Sequence, residues 1–272
     1  MPTVDYGLDD LLRSEYREGM RIDWDVPIHM DDGLTLRANV YRPNDDGKYP
    51  VIMTLGPYGK DLSWQEGYKT TWDLFSAEHP EALEGSTNIH QSWEVVDPEK
   101  WVPDGYVVIR IDSRGAGRSP GTIDTRCPRE IEDFKQCIEW AGVQSWSNGK
   151  VGLNGISYYA IIQWFVAALK PKHLAAMCVW EGAGDYYRDS THHGGILSTF
   201  QTNWYDMQVS SVQHGLGNRG KKSAVHGEYV CGPENLSDLE LKENRLDLGS
   251  AIKENTLDGP WYRQRSADFS KV

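Results

Sequence analysis

The sequence predicts an α/β fold in which a mostly parallel β-sheet carries helices on its faces. Between residues 51 and 180, strongly apolar strand-like segments alternate with amphipathic or apolar helical segments. Strands that alternate with helices are typical of a parallel sheet, because each parallel connection needs a crossover. The length of 272 residues is sufficient for a large buried core.

The first predicted elements form an antiparallel hairpin. Residues 22–29 alternate loosely between apolar and polar side chains, and residues 34–41 alternate clearly. Asp32-Gly33 lies between them, and this dipeptide is a strong turn signal.

The parallel part of the sheet follows. Residues 51–55, 106–111 and 173–180 are apolar runs that predict buried strands, and residues 151–153 predict a short one. Helical spacing over 129–141 and an apolar run over 158–169 predict two helices. Residues 60–100 have poor periodicity, which is typical of a functional excursion or of short helices.

The chain changes character after Gly184. Residues 185–265 are polar and contain helical stretches such as 236–244, which predict an inserted helical cap and no further sheet. We therefore divide the chain into residues 1–184, the N-terminal part of an α/β core, residues 185–265, the cap, and residues 266–272, the start of a return to the core.

Composition excludes several classes of protein. The formal charge of −12 argues against a nucleic-acid partner, and no apolar run approaches the roughly 20 residues of a membrane span. The first ten residues lack the pattern of a signal peptide. Four cysteines without a CxxC pair favour a reduced, cytoplasmic protein, with Cys178 as a core residue. We expect no cofactor and no metal, because phosphate-loop, dinucleotide and zinc spacings do not occur.

The strongest chemical signal is Gly155-Ile156-Ser157-Tyr158, which lies between a predicted strand and a predicted helix. A sharp strand-to-helix turn places a serine in a strained backbone conformation with its hydroxyl exposed. Gly155 suits a turn in which two backbones approach closely. The Tyr158 backbone N–H would then face the oxygen of an attacked carbonyl. These residues predict a nucleophilic serine.

Three motifs resemble the cocaine esterase and X-prolyl dipeptidyl peptidase group of α/β-hydrolases, also called CocE/NonD or peptidase family S15. The serine motif is similar to the G-x-S-Y-x-G turn of that family, although Ala160 replaces its last glycine. Residues 56–60 (GPYGK) resemble its P-Y-x-K segment, and residues 112–121 (DSRGAGRSPG) resemble its D-x-R-G-x-G-x-S-x-G loop. The likeness extends over residues 22–184 and implies an α/β-hydrolase fold.

The resemblance also implies site residues. Ser157 would be the nucleophile, and an oxyanion hole would consist of the Tyr58 hydroxyl and the Tyr158 backbone N–H. In this family the catalytic acid and histidine follow the cap, so the resemblance implies that the strands that carry them lie beyond Val272. We therefore expect the remaining C-terminal half of the same protein as a partner, and residues 1–272 alone to be inactive.

Five histidines follow Ser157, namely His173, His192, His193, His214 and His226. None matches a family motif, and we do not assign any of them as the general base. Arg114 is predicted to pair with a carboxylate. The tryptophans of residues 60–101, together with Trp204 and Tyr205, are predicted to pack, with one or two of them lining an acyl pocket.

These observations predict a serine hydrolase that cleaves a small-molecule ester or amide through an acyl-enzyme on Ser157. Esters are favoured, because no acidic site for a substrate ammonium group is evident. The alternatives are an acyltransferase or a carbon–carbon bond hydrolase on the same scaffold, and a non-catalytic member that only binds a ligand. The oligomeric state stays open, with a homo-oligomer among the alternatives.

Overall fold

A seven-stranded mixed sheet forms the centre of the protein in a computed structural model, which describes residues 13–272. The prediction that the N-terminus lacks a signal peptide lies outside the described residues. The strands are β1 (Arg13–Arg17), β2 (Met20–His29), β3 (Thr35–Arg42), β4 (Tyr49–Gly56), β5 (Val107–Asp112), β6 (Ser147–Ile156) and β7 (Leu174–Trp180). Their spatial order is β1-β2-β3-β5-β4-β6-β7.

The N-terminal strands are antiparallel and the others run parallel, as predicted. β2 pairs with β3 in the expected hairpin, and β3 is antiparallel to β5. β4 lies between β5 and β6 and is parallel to both, and β6 is parallel to β7. β1 was not predicted, because its polar sequence RSEYR shows no apolar alternation.

The longer helices cover the sheet. The helices are α1 (Trp64–Gly67), α2 (Lys69–Glu78), α3 (Pro98–Trp101), α4 (Pro128–Gly142), α5 (Tyr158–Ala167), α6 (Phe200–Trp204), α7 (Asp238–Glu243), α8 (Leu248–Glu254) and α9 (Pro260–Arg263). α4 packs on β4 and β6, and α5 packs on β4, β6 and β7. α4 confirms the helix predicted over residues 129–141, and it buries Ile131, Phe134 and Ile138. α1 to α3 confirm short helices in the excursion over residues 60–100.

The strand predicted over residues 173–180 forms, but the prediction that it is buried is wrong for the described residues. β7 pairs with β6 and has no second partner among the described strands, and most of its side chains are accessible. Trp180 is 59% exposed. Cys178 is also exposed, although its apolar neighbours predicted a core position. An apolar run does not distinguish a central strand from an edge strand, because composition carries no information on sheet order.

Short helices and turns dominate residues 185–265, and they include α6 to α9. Two short strands that were not predicted, β8 (His192–His193) and β9 (Ile196–Leu197), form a separate antiparallel pair. None of the helices formed by residues 13–272 has both the length and the apolar character needed to cross a bilayer.

Candidate active site

Ser157 lies at the junction of β6 and α5, in the strained turn that the sequence predicted. Its backbone angles are φ 55° and ψ −114°. Such a sparsely populated backbone conformation costs a residue with a Cβ atom about 1–3 kcal/mol. Strain of this kind collects at functional sites. The Ser157 N–H donates to the Trp180 carbonyl at 3.0 Å, which ties the turn to the end of β7.

Two glycines make room for this turn. A Cβ atom on Gly155 would lie 2.3 Å from Cβ of Tyr159, and one on Gly56 would lie 2.5 Å from the Tyr159 ring. Both distances are far shorter than any contact between carbon atoms. Gly155 is therefore required for the close approach that the motif predicted, and Gly56 allows the end of β4 to approach α5.

Tyr58 follows β4 and packs against the residues that succeed the serine. Its ring is 4% exposed and lies edge-to-face with Tyr158 at 6.0 Å and with Tyr159 at 5.4 Å between centroids. Burial, assisted by the nearby Glu94 carboxylate, raises the pKa of Tyr58 well above its ordinary value. The phenol therefore keeps its proton at neutral pH and can donate a hydrogen bond.

A residue distant in sequence binds this phenol. The indole Nε1–H of Trp204, at the end of α6, donates to the Tyr58 Oη at 2.9 Å, and both side chains are buried. Trp204 was predicted to pack or to line an acyl pocket. No sequence signal links two positions that lie 146 residues apart.

The Tyr158 side chain points into the core and fixes the start of α5. Its hydroxyl donates to Glu130 Oε2 at 2.5 Å, and burial raises the pKa of Glu130 to about 7. The Arg126 guanidinium lies over three rings, at 4.5 Å from Tyr186, 5.5 Å from Tyr158 and 5.7 Å from Trp204. These cation–π contacts join residues 185–265 to the core behind the turn.

Lys60 and Asp112, from the two other motifs, meet in a buried ionic network. Lys60 Nζ lies 2.8 Å from Asp25 Oδ1 and 2.8 Å from Asp61 Oδ2. The Asp112 carboxylate accepts the backbone N–H groups of Lys60 at 2.6 Å and of Arg118 at 2.8 Å. The network fixes the loop that carries Tyr58 against the loop after β5.

Arg114 confirms its predicted structural role. Its Nε and Nη2 atoms donate to the two Asp133 oxygens at 2.9 Å each, and its Nη1 lies 2.9 Å from Asp32. The bidentate pair joins the loop after β5 to α4.

Glu94 is a partly buried acid beside the turn, and it was not predicted as a site residue. Its carbonyl accepts the Ile156 N–H at 3.1 Å, and its own φ is 64°. Its Oε2 atom is buried and accepts no hydrogen bond from residues 13–272. Burial, together with the charge of Glu181, raises the pKa of Glu94 to about 8. No motif marks Glu94, because its environment arises only when the excursion folds onto β6.

The five histidines after Ser157 contact other groups. Three of them lie at hydrogen-bond distance from backbone carbonyls: His173 Nδ1 from Gly149 at 2.9 Å, His193 Nε2 from Asp189 at 2.8 Å, and His214 Nδ1 from Gly117 at 3.2 Å. The His192 ring stacks on Tyr187 at 4.5 Å between centroids. His226 Nε2 lies 3.3 Å from Asp61 Oδ1. Over residues 13–272, no hydrogen bond joins a histidine to Ser157.

The sheet order, the parallel crossovers and the strained serine between β6 and α5 define an α/β-hydrolase fold. The family model of the X-Pro dipeptidyl-peptidases (S15 family) matches residues 32–270. The chain belongs to this family, which confirms the resemblance seen in its motifs.

Individual relatives are hydrolases by name. The chain is 31% identical to a cocaine esterase of Rhodococcus sp. (strain MB1 Bresler) over 175 residues, which cover 64% of this chain and 26% of the esterase. It is 23% identical to a Xaa-Pro dipeptidyl-peptidase of Streptococcus pneumoniae, over 88% of this chain and 36% of that protein. A crystal structure of a CocE/NonD family hydrolase from Staphylococcus aureus superimposes with a TM-score of 0.73 and 32% identity, over 100% of this chain and 44% of that one. The chain therefore spans less than half the length of these relatives.

Proposed function

We propose that this protein is a serine hydrolase that cleaves an ester or amide, with Ser157 as its nucleophile. The observation that carries the proposal is the left-handed Ser157 at a strand-to-helix junction, whose next two residues, Tyr158 and Tyr159, pack against the buried phenol of Tyr58. The Ser157 Oγ attacks the carbonyl carbon of the substrate to form a tetrahedral intermediate. Its collapse expels the alcohol or amine and leaves an acyl-enzyme, which water hydrolyses.

The oxyanion of that intermediate would be held by two donors. The first is the Tyr58 hydroxyl, which burial keeps protonated. The second is the Tyr158 backbone N–H, which has no acceptor within its own helix because it opens α5. Donors that are fixed before reaction supply much of the rate enhancement in acyl transfer.

The general base and its acid partner are proposed to come from sequence C-terminal to Val272. Two observations support this assignment. The five histidines after Ser157 contact other groups, and this chain covers less than half the length of its relatives. The proposed substrate is a small-molecule ester or amide.

Labelling with a fluorophosphonate tests the proposal. In the natural full-length polypeptide, the reagent is expected to phosphonylate Ser157, because an intact triad activates its serine to displace fluoride from the phosphorus. Mass spectrometry of the labelled peptide identifies the modified residue. Residues 1–272 alone are expected to show little or no turnover of p-nitrophenyl esters. Failure of the full-length protein to react would indicate a non-catalytic ligand-binding protein. Strong activity of residues 1–272 would place the base inside this chain.

The pH dependence of turnover tests the environment of this site. Glu94 faces Tyr58, Tyr68, Tyr159 and Glu181, and its pKa of about 8 keeps it neutral below that pH. Ionisation places a negative charge near Tyr58, the proposed donor to the oxyanion. We therefore expect kcat/KM of the full-length protein to fall as pH rises through about 8.

Two variants test whether Glu94 is the group whose ionisation lowers kcat/KM. Glu94→Gln is expected to remove the fall above pH 8. Glu181→Gln is expected to move the fall to lower pH, because the charge of Glu181 contributes to the raised pKa of Glu94. An unchanged alkaline limb in Glu94→Gln would show that another group titrates.

A further inference from the structure

We propose that Trp204 is a positioning residue of the oxyanion hole, whose indole N–H fixes the Tyr58 hydroxyl so that the phenolic proton points to the substrate oxygen. This inference rests on the proposed function. It assigns a part in the reaction to a side chain from residues 185–265, outside the motifs that carry the rest of the site.

The direction of the hydrogen bond is unambiguous. An indole N–H only donates, so the Tyr58 oxygen is the acceptor in the 2.9 Å contact with Trp204 Nε1. A phenol has a single proton and can accept and donate at the same time. The bond from Trp204 therefore occupies a lone pair of Tyr58 and leaves its proton available for a third group.

The indole is itself held in place. Its ring stacks on Tyr158 at 5.8 Å with an interplanar angle of 22°, and the Arg126 guanidinium lies over it at 5.7 Å. Tyr205 packs on it at 6.1 Å, and Trp204 is 4% exposed. Contacts on several sides restrict rotation of the ring, so the N–H direction is set before a substrate binds.

This arrangement affects the chemistry of the phenol. A hydroxyl that accepts a hydrogen bond becomes a stronger donor, because the two bonds polarise each other. The bond from Trp204 also opposes the effect of burial on the Tyr58 pKa. Trp204 thus orients Tyr58 and strengthens its donation to a developing oxyanion, without contact to the substrate being required.

A double-mutant cycle in the natural full-length protein tests this inference. Trp204→Phe keeps an aromatic ring and removes the N–H. It is expected to lower kcat about tenfold, which corresponds to the loss of one buried hydrogen bond, and to leave KM within about twofold. Tyr58→Phe is expected to lower kcat by about 10²–10³-fold. The double variant is expected to match Tyr58→Phe within about twofold, because Trp204 acts only through the Tyr58 hydroxyl.

A control variant and a second N–H-deficient variant distinguish a specific effect on kcat from a general loss of structure. Trp261→Phe alters a tryptophan that packs on Tyr186 and Tyr262, and it is expected to leave kcat unchanged. If Trp204→Phe does not fold, 3-benzothienylalanine at position 204 retains both rings and lacks the N–H, and the same tenfold loss is expected.

Three results would overturn the inference. An unchanged kcat in the N–H-deficient variant would show that the bond has no role in turnover. The loss of kcat caused by Trp204→Phe could also appear in full when it is added to Tyr58→Phe. That result would show that Trp204 acts independently of the phenol. Lack of fluorophosphonate labelling at Ser157 in the unmodified protein would overturn the proposed function, and this inference with it.

Discussion

Replacing Ser157 with alanine in the natural full-length protein is expected to lower kcat for an ester substrate by about 10⁶-fold, the size of the loss when a triad loses its serine nucleophile. Alanine retains the Cβ atom, so the backbone strain at φ 55° stays and only the hydroxyl is lost. The measurement is the steady-state rate with a p-nitrophenyl ester, together with an unfolding curve that confirms an unchanged fold.

Ser157→Gly is the matched control for this substitution. It also lacks the hydroxyl and is expected to be equally inactive. Glycine adopts positive φ without strain, so this variant is expected to be about 1 kcal/mol more stable than Ser157→Ala. Residual activity of either variant above about one per cent would contradict Ser157 as the nucleophile.

Lys60→Met is expected to have the largest effect on stability, with a loss of about 3–5 kcal/mol in the free energy of unfolding. Lys60, Asp25 and Asp61 have side chains no more than 2% exposed. Removal of the ammonium group deprives Asp25 and Asp61 of a cation at 2.8 Å, and the attraction of Lys60 for Asp112 at 3.8 Å is also lost. Arg118 stays 2.9 Å from Asp25, and His226 stays 3.3 Å from Asp61. Denaturation by urea at neutral pH measures the effect.

Lys69→Met is the matched control. Lys69 pairs with Asp73 at 2.7 Å on the surface, where its side chain is 75% exposed. Exposed pairs contribute at most about 1 kcal/mol, so this variant is expected to be nearly as stable as the original protein. A similar small effect for Lys60→Met would show that the buried network does not stabilise the fold.

Much of the fold follows from local signals. The hairpin of β2 and β3, the helix α4 and the strained turn at Ser157 each depend on residues close together in sequence. Gly155 is needed by its neighbour Tyr159, and Asp32-Gly33 turns the chain between adjacent strands. Such features are predictable, because the residues that determine the local conformation lie next to one another in the sequence.

The remaining features depend on which distant segments meet. The exposure of Trp180 follows from the place of β7 at one edge of the sheet, and the hydrogen bond to Tyr58 follows from the position of α6. The burial of Glu94 follows from the fold of a long excursion. Hydrophobic periodicity reports neither sheet order nor loop placement, so these three features could not be predicted from the sequence.

The ionic network around Lys60 also has an evolutionary consequence. Replacing a buried ion pair as a unit with apolar residues is often neutral, whereas replacing one member alone is strongly destabilising. Single substitutions at Lys60, Asp61 or Asp112 are thus expected to be destabilising, although Lys60 and Asp112 lie 52 residues apart in the sequence. The two motifs are therefore expected to be inherited together in descendants of this fold, even when most other positions have diverged.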